Sequence, residues 1–284
     1  MIHRTVLLIL FFIFFFSCSN PGKVDMEEKQ NTLIYEDKYG IVSYLQIEDQ
    51  HFSLDETIRV GLLTINHSDT HKVYIHTRSA PLWHYTIYNE EMKRVDYYPK
   101  FINPVIIDFY LNPGDTFKSN LTWTQTMGSY DRFAGLKVFS GDYYITGDQP
   151  GLPSGKVGVW IHISEVGEPL STKLFWNFSV QDSILIDFLV RNRISKELTF
   201  QMKENVPPRI QFFDSVSDTL VKEMDLNLTF AKIELPPKSD LKIFSYQESK
   251  SNLINMGLLG SFLCKIIIPC QERDIIAMGF IVIN

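Results

Sequence analysis

Residues 52–66 and 178–192 lie on one another without a gap. Phe52-Ser-Leu-Asp-Glu-Thr-Ile-Arg-Val-Gly-Leu-Leu-Thr-Ile-Asn66 matches Phe178-Ser-Val-Gln-Asp-Ser-Ile-Leu-Ile-Asp-Phe-Leu-Val-Arg-Asn192, with Phe, Ser, Ile, Leu and Asn at equal spacing. Later landmarks follow in order after small gaps: Leu111-Asn-Pro-Gly-Asp115 with Leu235-Pro-Pro-Lys-Ser239, Trp123 with Tyr246, and Gly141-Asp-Tyr143 with Gly260-Ser-Phe262. A period of about 125 residues far exceeds the roughly 20–50 residues of solenoid units. It implies two copies of one domain.

The pattern inside each copy is that of strands. Ile58, Val60, Leu62 and Thr64 alternate with Arg59, Gly61, Leu63 and Ile65, giving one strongly apolar face. Val73 and Ile75 alternate with Lys72, Tyr74 and His76. Residues 105–111 run apolar up to Asn112-Pro-Gly-Asp115, where Pro sets φ and Gly takes the unusual one. Residues 157–163 form another such run, and long helical periodicity is missing. Short β-branched and aromatic segments separated by turn signals predict an all-β chain of two tandem immunoglobulin-like β-sandwiches. The expected division is 32–166 and 167–284, with the boundary near Gly167-Glu168-Pro169.

Ahead of the repeat stands a basic start, MIHR, then an apolar run from Val6 to Phe16 and Ser17-Cys18. The run is shorter than the ~20 apolar residues a membrane-crossing helix needs, so 1–17 reads as a secretory leader. Phe15-Phe16-Ser17 followed by Cys18 resembles the lipobox of bacterial lipoproteins. That resemblance implies cleavage before Cys18, lipidation on it, and residence in the cell envelope; Ser19 favours the outer membrane. An ordinary leader with an incidental cysteine is the alternative. Residues 18–31 are polar and read as a short flexible tether. Cys264 and Cys270 flank a strand-like run, and six extended residues span about 20 Å, beyond the roughly 6 Å of a disulfide. Two buried, unpaired thiols are expected; the alternative, a bridge in an oxidising compartment, requires a turn at Pro269 that folds the chain back. The formal net charge of -6 and pI near 5.7 leave no basic patch, so nucleic-acid binding is not expected.

Further features follow an order resembling the BsuPI-type proteinase-inhibitor domain: Asn66 ending a β-run, Ser79 with Tyr85, Asn89-Glu90-Glu91, Leu111-Asn-Pro-Gly-Asp115, Trp123, then Gly141-Asp-Tyr143. The likeness covers Ile41 to Ile163 and is weaker in the second copy. The family pattern carries Gly near Met92 and Trp near Tyr97, where this chain differs. The resemblance implies an immunoglobulin-like fold and, as one function, protease inhibition.

Few constellations could carry chemistry. Trp83, His84, Tyr85, Tyr97, Tyr98 and Phe101 concentrate flat, rigid side chains of the kind that anchor protein or sugar partners. His67, Asp69 and His71 flank a turn and are weak candidates for a metal site, against a reading as a solvated hairpin tip bonded to local backbone. Gly151-Leu-Pro-Ser-Gly-Lys156 lacks the spacing and hydroxyl of a phosphate loop and reads as the loop between the last two strands of copy one. No catalytic signature and no cofactor motif is found. The expectation is a non-enzymatic, membrane-anchored scaffold that binds a protein partner, with protease inhibition or metal or carbohydrate binding as alternatives.

Overall fold

The alternation at 58–65 becomes a strand whose burial also alternates, because successive side chains point to opposite faces. The computed structural model describes residues 34–36, 40–78, 81–128, 132–151, 156–180, 182–228 and 230–283. The leader, Cys18, the tether 18–31 and Ser79 lie outside them, as do residues 152–155 of the 151–156 loop.

In the first copy, β1 (Ile34–Glu36), β2 (Ile41–Ile47), β4 (Ile58–Asn66) and β9 (Thr116–Trp123) form one sheet in the order β1-β2-β4-β9. The facing sheet has the order β3-β11-β10-β6-β7, from β3 (His51–Phe52), β6 (His84–Asn89), β7 (Arg94–Tyr98), β10 (Gly141–Asp148) and β11 (Val157–Ile163). A ribbon of β5 (Val73–Thr77) and β8 (Ile107–Leu111) completes it. The second copy repeats the plan. One sheet is β12 (Leu170–Val180), β13 (Ser183–Asn192) and β18 (Ser239–Ser249). The other runs β16-β15-β19-β20, from β15 (Arg209–Asp214), β16 (Leu220–Asp225), β19 (Gly260–Ile268) and β20 (Ile275–Ile283). Its ribbon is β14 (Leu198–Gln201) with β17 (Lys232–Leu235), and one short helix, α1 (Lys250–Asn255), is capped by Ser249. The chain is all-β, and each copy is an immunoglobulin-like sandwich.

Each copy has its own apolar core. Trp123, Tyr85, Ile58 and Ile145 are fully buried in the first, and Phe188, Phe212, Ile186 and Ile266 in the second. Each such aliphatic or Phe side chain contributes roughly 1.5–3 kcal/mol of burial.

The equivalence of the copies extends to atoms. Asn66 closes β4 and Asn192 closes β13, both fully buried. Asn66 Nδ2 donates to the carbonyls of His71 (2.8 Å) and Leu111 (2.9 Å), and Ser68 N donates to its Oδ1 (3.0 Å). Asn192 Nδ2 reaches the carbonyls of Lys196 (2.7 Å), Leu235 (3.1 Å) and Pro236 (2.8 Å), and Ile194 N donates to its Oδ1. Here the chain leaves the sheet for the ribbon, and a carboxamide supplies the donors and acceptor that a strand ladder no longer provides. Gly114 and Lys238 both have positive φ at matching turn positions, as do Gly141 and Gly260 at the starts of β10 and β19.

Two expectations need correction. Trp123 pairs with Ile58, whereas Tyr246 pairs with Ile186, not with the matching Ile184. The β13–β18 ladder has a bulge at Phe188/Leu189, and Glu248 takes the place opposite Ile184. Val105 and Ile106 precede β8 and are exposed rather than part of a strand. Cys264 and Cys270 are buried free thiols, and burial pushes Cys264 up to about 12 and Cys270 up to about 11. Met92, where the resembled family has Gly nearby, sits at φ 57 in the β6–β7 turn.

Residues Thr32–Asn284 form one compact unit, and a buried polar clasp joins the two cores. Arg193 is fully buried. Its Nε donates to Val138 O (2.8 Å), Nη1 to Asp55 Oδ1 (2.9 Å) and Glu168 O (3.0 Å), and Nη2 to Gln125 Oε1 (3.2 Å). Gln125 Nε2 in turn donates to Ser53 O and Glu56 O. Arg191 grips Asp240 with Nε and Nη2, donates to Lys137 O, and stacks 4.3 Å over Phe139. Gly167 (φ +125) is required beside this junction, since a Cβ would stand 2.6 Å from Leu54 O. No described helix is long and apolar enough to cross a membrane.

Candidate functional site

The clasp holds the ends of β9, β11 and β12 nearest Trp123, Ile163 and Leu170. Antiparallel registers therefore send the opposite ends of β9 and β11, which belong to the first sandwich, to its far side. There Asp148 pairs with His84, Tyr85 with Tyr98, and Thr77 with Ile107. The described loop residues 81–83, 99–106 and 149–151 emerge at this end, as binding loops on rigid scaffolds do.

The six aromatic and histidine candidates divide by environment. Tyr85 is a core residue and leaves the surface: it is fully buried, its hydroxyl lies 3.0 Å from both Ser119 O and Oγ, and burial pushes its phenol up to about 12. Trp83 is half-buried, 5.4 Å from the Tyr85 ring. Tyr98 is half-buried against the core, its phenol raised first by burial and then by the Asp96 charge. Asp96 is buried and ion-paired with Lys100, whose Nζ also lies 4.5 Å from the Tyr98 ring centre and 5.1 Å from that of Tyr97. Arg94 covers Tyr97 at 5.0 Å. Gly128 allows this packing, because a Cβ there would overlap the Asp96 carboxylate. His84 Nδ1 stands 3.6 Å from Asp148 Oδ1. Phe101 alone of the six is fully solvent-facing, 86% exposed.

Phe101 has company that the sequence did not single out. Ile102, Val105 and Ile106 of the same loop are exposed, and so are Tyr110 on β8 and Tyr74 on β5. Tyr74 and Tyr110 face each other across the ribbon with rings 5.2 Å apart. Tyr74 Oη donates to Asp108 Oδ1 at 2.6 Å, and His76 Nδ1 lies 2.7 Å from the same oxygen. These two donors hold the Asp108 carboxyl below its ordinary range, Tyr74 first. The β5 alternation already placed Tyr74 and His76 on the outer face; their partner Asp108 required the β5–β8 register. Beneath the ribbon, Gln149 is buried with both amide atoms lacking a hydrogen-bond partner among the described residues, beside a small cleft lined by Ile75, Leu82, Phe109 and Phe117.

Of the weak metal candidates His67, Asp69 and His71, the two histidines are engaged locally. His67 Nε2 stands 3.5 Å from Tyr44 Oη, His71 Nδ1 is 3.1 Å from Thr70 Oγ1, and Ser68 Oγ donates to His71 O. Among the described residues, no three His, Cys, Asp or Glu side chains gather as a metal site would require.

No family model and no curated protein matches the chain. Among solved structures it is similar to dimeric latent PorU from Porphyromonas gingivalis, at 10% identity and a TM-score of 0.29 over 93% of this chain and 21% of that one. It is also similar to trypsin-activated alpha-2-macroglobulin from Escherichia coli, at 9% identity and a TM-score of 0.26 over 87% of this chain and 16% of that one. The chain thus spans about a fifth or less of these two proteins.

Proposed function

We propose that this chain is a non-enzymatic, lipid-anchored envelope protein whose first sandwich binds a protein partner through the 99–106 loop and the β5–β8 ribbon. The observation that carries the reading is the run Phe101, Ile102, Val105 and Ile106, exposed together on a loop of a rigid scaffold. The loop is held at one end by the Asp96–Lys100 pair and at the other by the β8 ladder. A rigid apolar projection with aromatic neighbours loses little entropy on binding and is of the type that forms interface anchors. The anchor rests on the leader and Cys18. Photocrosslinking from position 101 in intact cells, followed by capture from solubilised membranes, tests the partner. Phe101→Ala with Ile106→Ala is expected to cut recovery of the crosslinked species at least tenfold. Repeated recovery of nothing would sink the reading. Labelled fatty acid is expected to enter the wild type and to be lost in Cys18→Ala; absence from both removes the anchor.

The same exposed loop, which contains Pro104, supports protease inhibition as a second reading, in keeping with the BsuPI-type resemblance. Titration of the protein against serine and other proteases decides it, and uniformly unchanged rates exclude it.

A further inference from the structure

Strand β20 reads Ile-Ile-Ala-Met-Gly-Phe-Ile-Val-Ile, without one polar side chain. Continuous apolar runs of this kind belong to strands covered on both faces. Among the described residues, only one face of β20 is covered. Ile275, Ala277, Ile281 and Ile283 point into the core of the second sandwich, each at most 2% exposed. Ile276, Met278, Phe280 and Val282 point outward and are 38%, 58%, 67% and 45% exposed. Their cross-strand neighbours on β19 include Ile267 and Leu263, which extend the apolar stripe inward.

The first sandwich shows what the fold does without this stripe. Gly141 pairs with Ile163 as Gly260 pairs with Ile283, so Gly158, Trp160 and His162 stand where Met278, Phe280 and Val282 stand. There the free edge of β11 carries β3, paired in parallel at His51 and Phe52. β20 ends its sheet among the described residues, and Thr172 Oγ1 of β12 donates to Ile276 O.

We propose that the outer face of β20 and β19 packs against the same face of a second copy of this chain, forming a two-fold dimer. The area fits. The four outward side chains expose roughly 400 Å² of apolar surface, close to the apolar share of the ~800 Å² per partner in a standard interface. The composition fits too. A two-fold contact sets a surface against itself, and residues 275–283 bring no charge that would meet its like. On the same face Lys265 of β19 stands opposite Met278, and the Arg209–Glu223 pair lies farther in on β15 and β16, so charge bounds the β20 stripe on the side away from the sheet edge. Two such sheets would stack about 10 Å apart. The dimer stands on the second sandwich alone and is independent of the partner reading of the first.

The test uses the full chain in its native membrane. A photoreactive phenylalanine at position 280 is expected to give a product of twice the single-chain mass, while the same group at the exposed Val216 gives none. In detergent with micelles in excess, wild type is expected to sediment as two chains and the Met278→Lys/Phe280→Lys double variant as one. The dissociation constant should weaken at least a hundredfold. Circular dichroism should stay unchanged, because both side chains point away from the core. Three outcomes overturn the proposal: wild type sedimenting as one chain at high micromolar concentration, a double variant that dimerises as well as wild type, or a position-280 product of any other mass, such as an adduct with lipid or a different protein.

Discussion

Replacing Arg193 by Ala removes a fully buried guanidinium from four acceptors: Val138 O, Glu168 O, Asp55 Oδ1 and Gln125 Oε1. Hydrogen bonds to charged groups contribute about 1.5–3 kcal/mol each, but four on one group do not add. The Asp55 side chain is 36% exposed and regains water once released, whereas the two carbonyls and the Gln125 amide stay in the junction. Breaking a buried pair from one side costs roughly 3–5 kcal/mol. The expected loss is therefore about 4 kcal/mol. With a urea slope of about 2.5–3 kcal/mol/M, the unfolding midpoint falls by roughly 1.5 M. Trp83, Trp123 and Trp160 report on the first sandwich and Trp176 on the second, so fluorescence can follow the transition. Arg193→Met separates volume from hydrogen bonding. It refills most of the space yet leaves the buried carbonyls of Val138 and Glu168 without this donor, while Gln125 Oε1 keeps the Asp55 N–H, and it should still lose about 3 kcal/mol. A methionine variant as stable as wild type would refute the clasp as a hydrogen-bonded device, and an alanine variant within about 1 kcal/mol of wild type would refute it altogether.

Asn66→Ala and Asn192→Ala should each cost about 2–3 kcal/mol in the same urea assay, because each orphans buried carbonyls in equivalent places. A cost confined to one of them would break the equivalence of the copies. Glu168 is held below the ordinary glutamate range, first by Arg273, whose two Nη atoms reach its carboxylate at 2.6 Å. A lowered folded pKa means the contribution is complete above the unfolded value, about 4.3, and fades as pH falls through the folded one. Glu168→Gln should thus cost up to about 1 kcal/mol at pH 7, since the pair is partly exposed, and nothing near pH 2. An equal cost at both pH values would contradict the assignment. In a Cys18→Ala background, Cys264 and Cys270 should ignore a disulfide-exchange reagent at pH 8 and both react in guanidinium, because their raised pKa values keep them as buried thiols. Prompt native reactivity of either would show the site to be open.

Strand identity was legible wherever one face alone is buried. At 58–65 the period of two named the inward residues, and the structure buries Ile58, Val60, Leu62 and Thr64. The Asn112-Pro-Gly-Asp115 turn was legible from backbone chemistry, with Gly114 at φ +80. The errors arose where pattern and position separate. An apolar run at 105–111 does not reveal that its first two residues project from a loop. Tyr85 looks like Trp83 in sequence, but only the β6 register sends it inward to Ser119. The bulge in β18 moved the Tyr246 landmark, because the unpaired Ile243 shifts every later partner by one residue.

The clasp leaves a trace in the repeat. Where the first copy has Ile65 and His67 around its closing asparagine, the second has Arg191 and Arg193. Two arginines replacing such positions of a duplicated strand mark a place where the copies stopped being equivalent. They lie where the second sandwich meets the first, and charge buried there requires partners that only the first copy supplies. The outer edges diverge likewise: β1 and β3 cover β2 and β11, while no described strand covers β12 and β20 in the same way. A duplicated fold keeps its core and turn chemistry because both copies must bury the same faces. Its surfaces are free to differ, and there the residues that break the repeat are the ones to examine for contacts between copies, partners or chains.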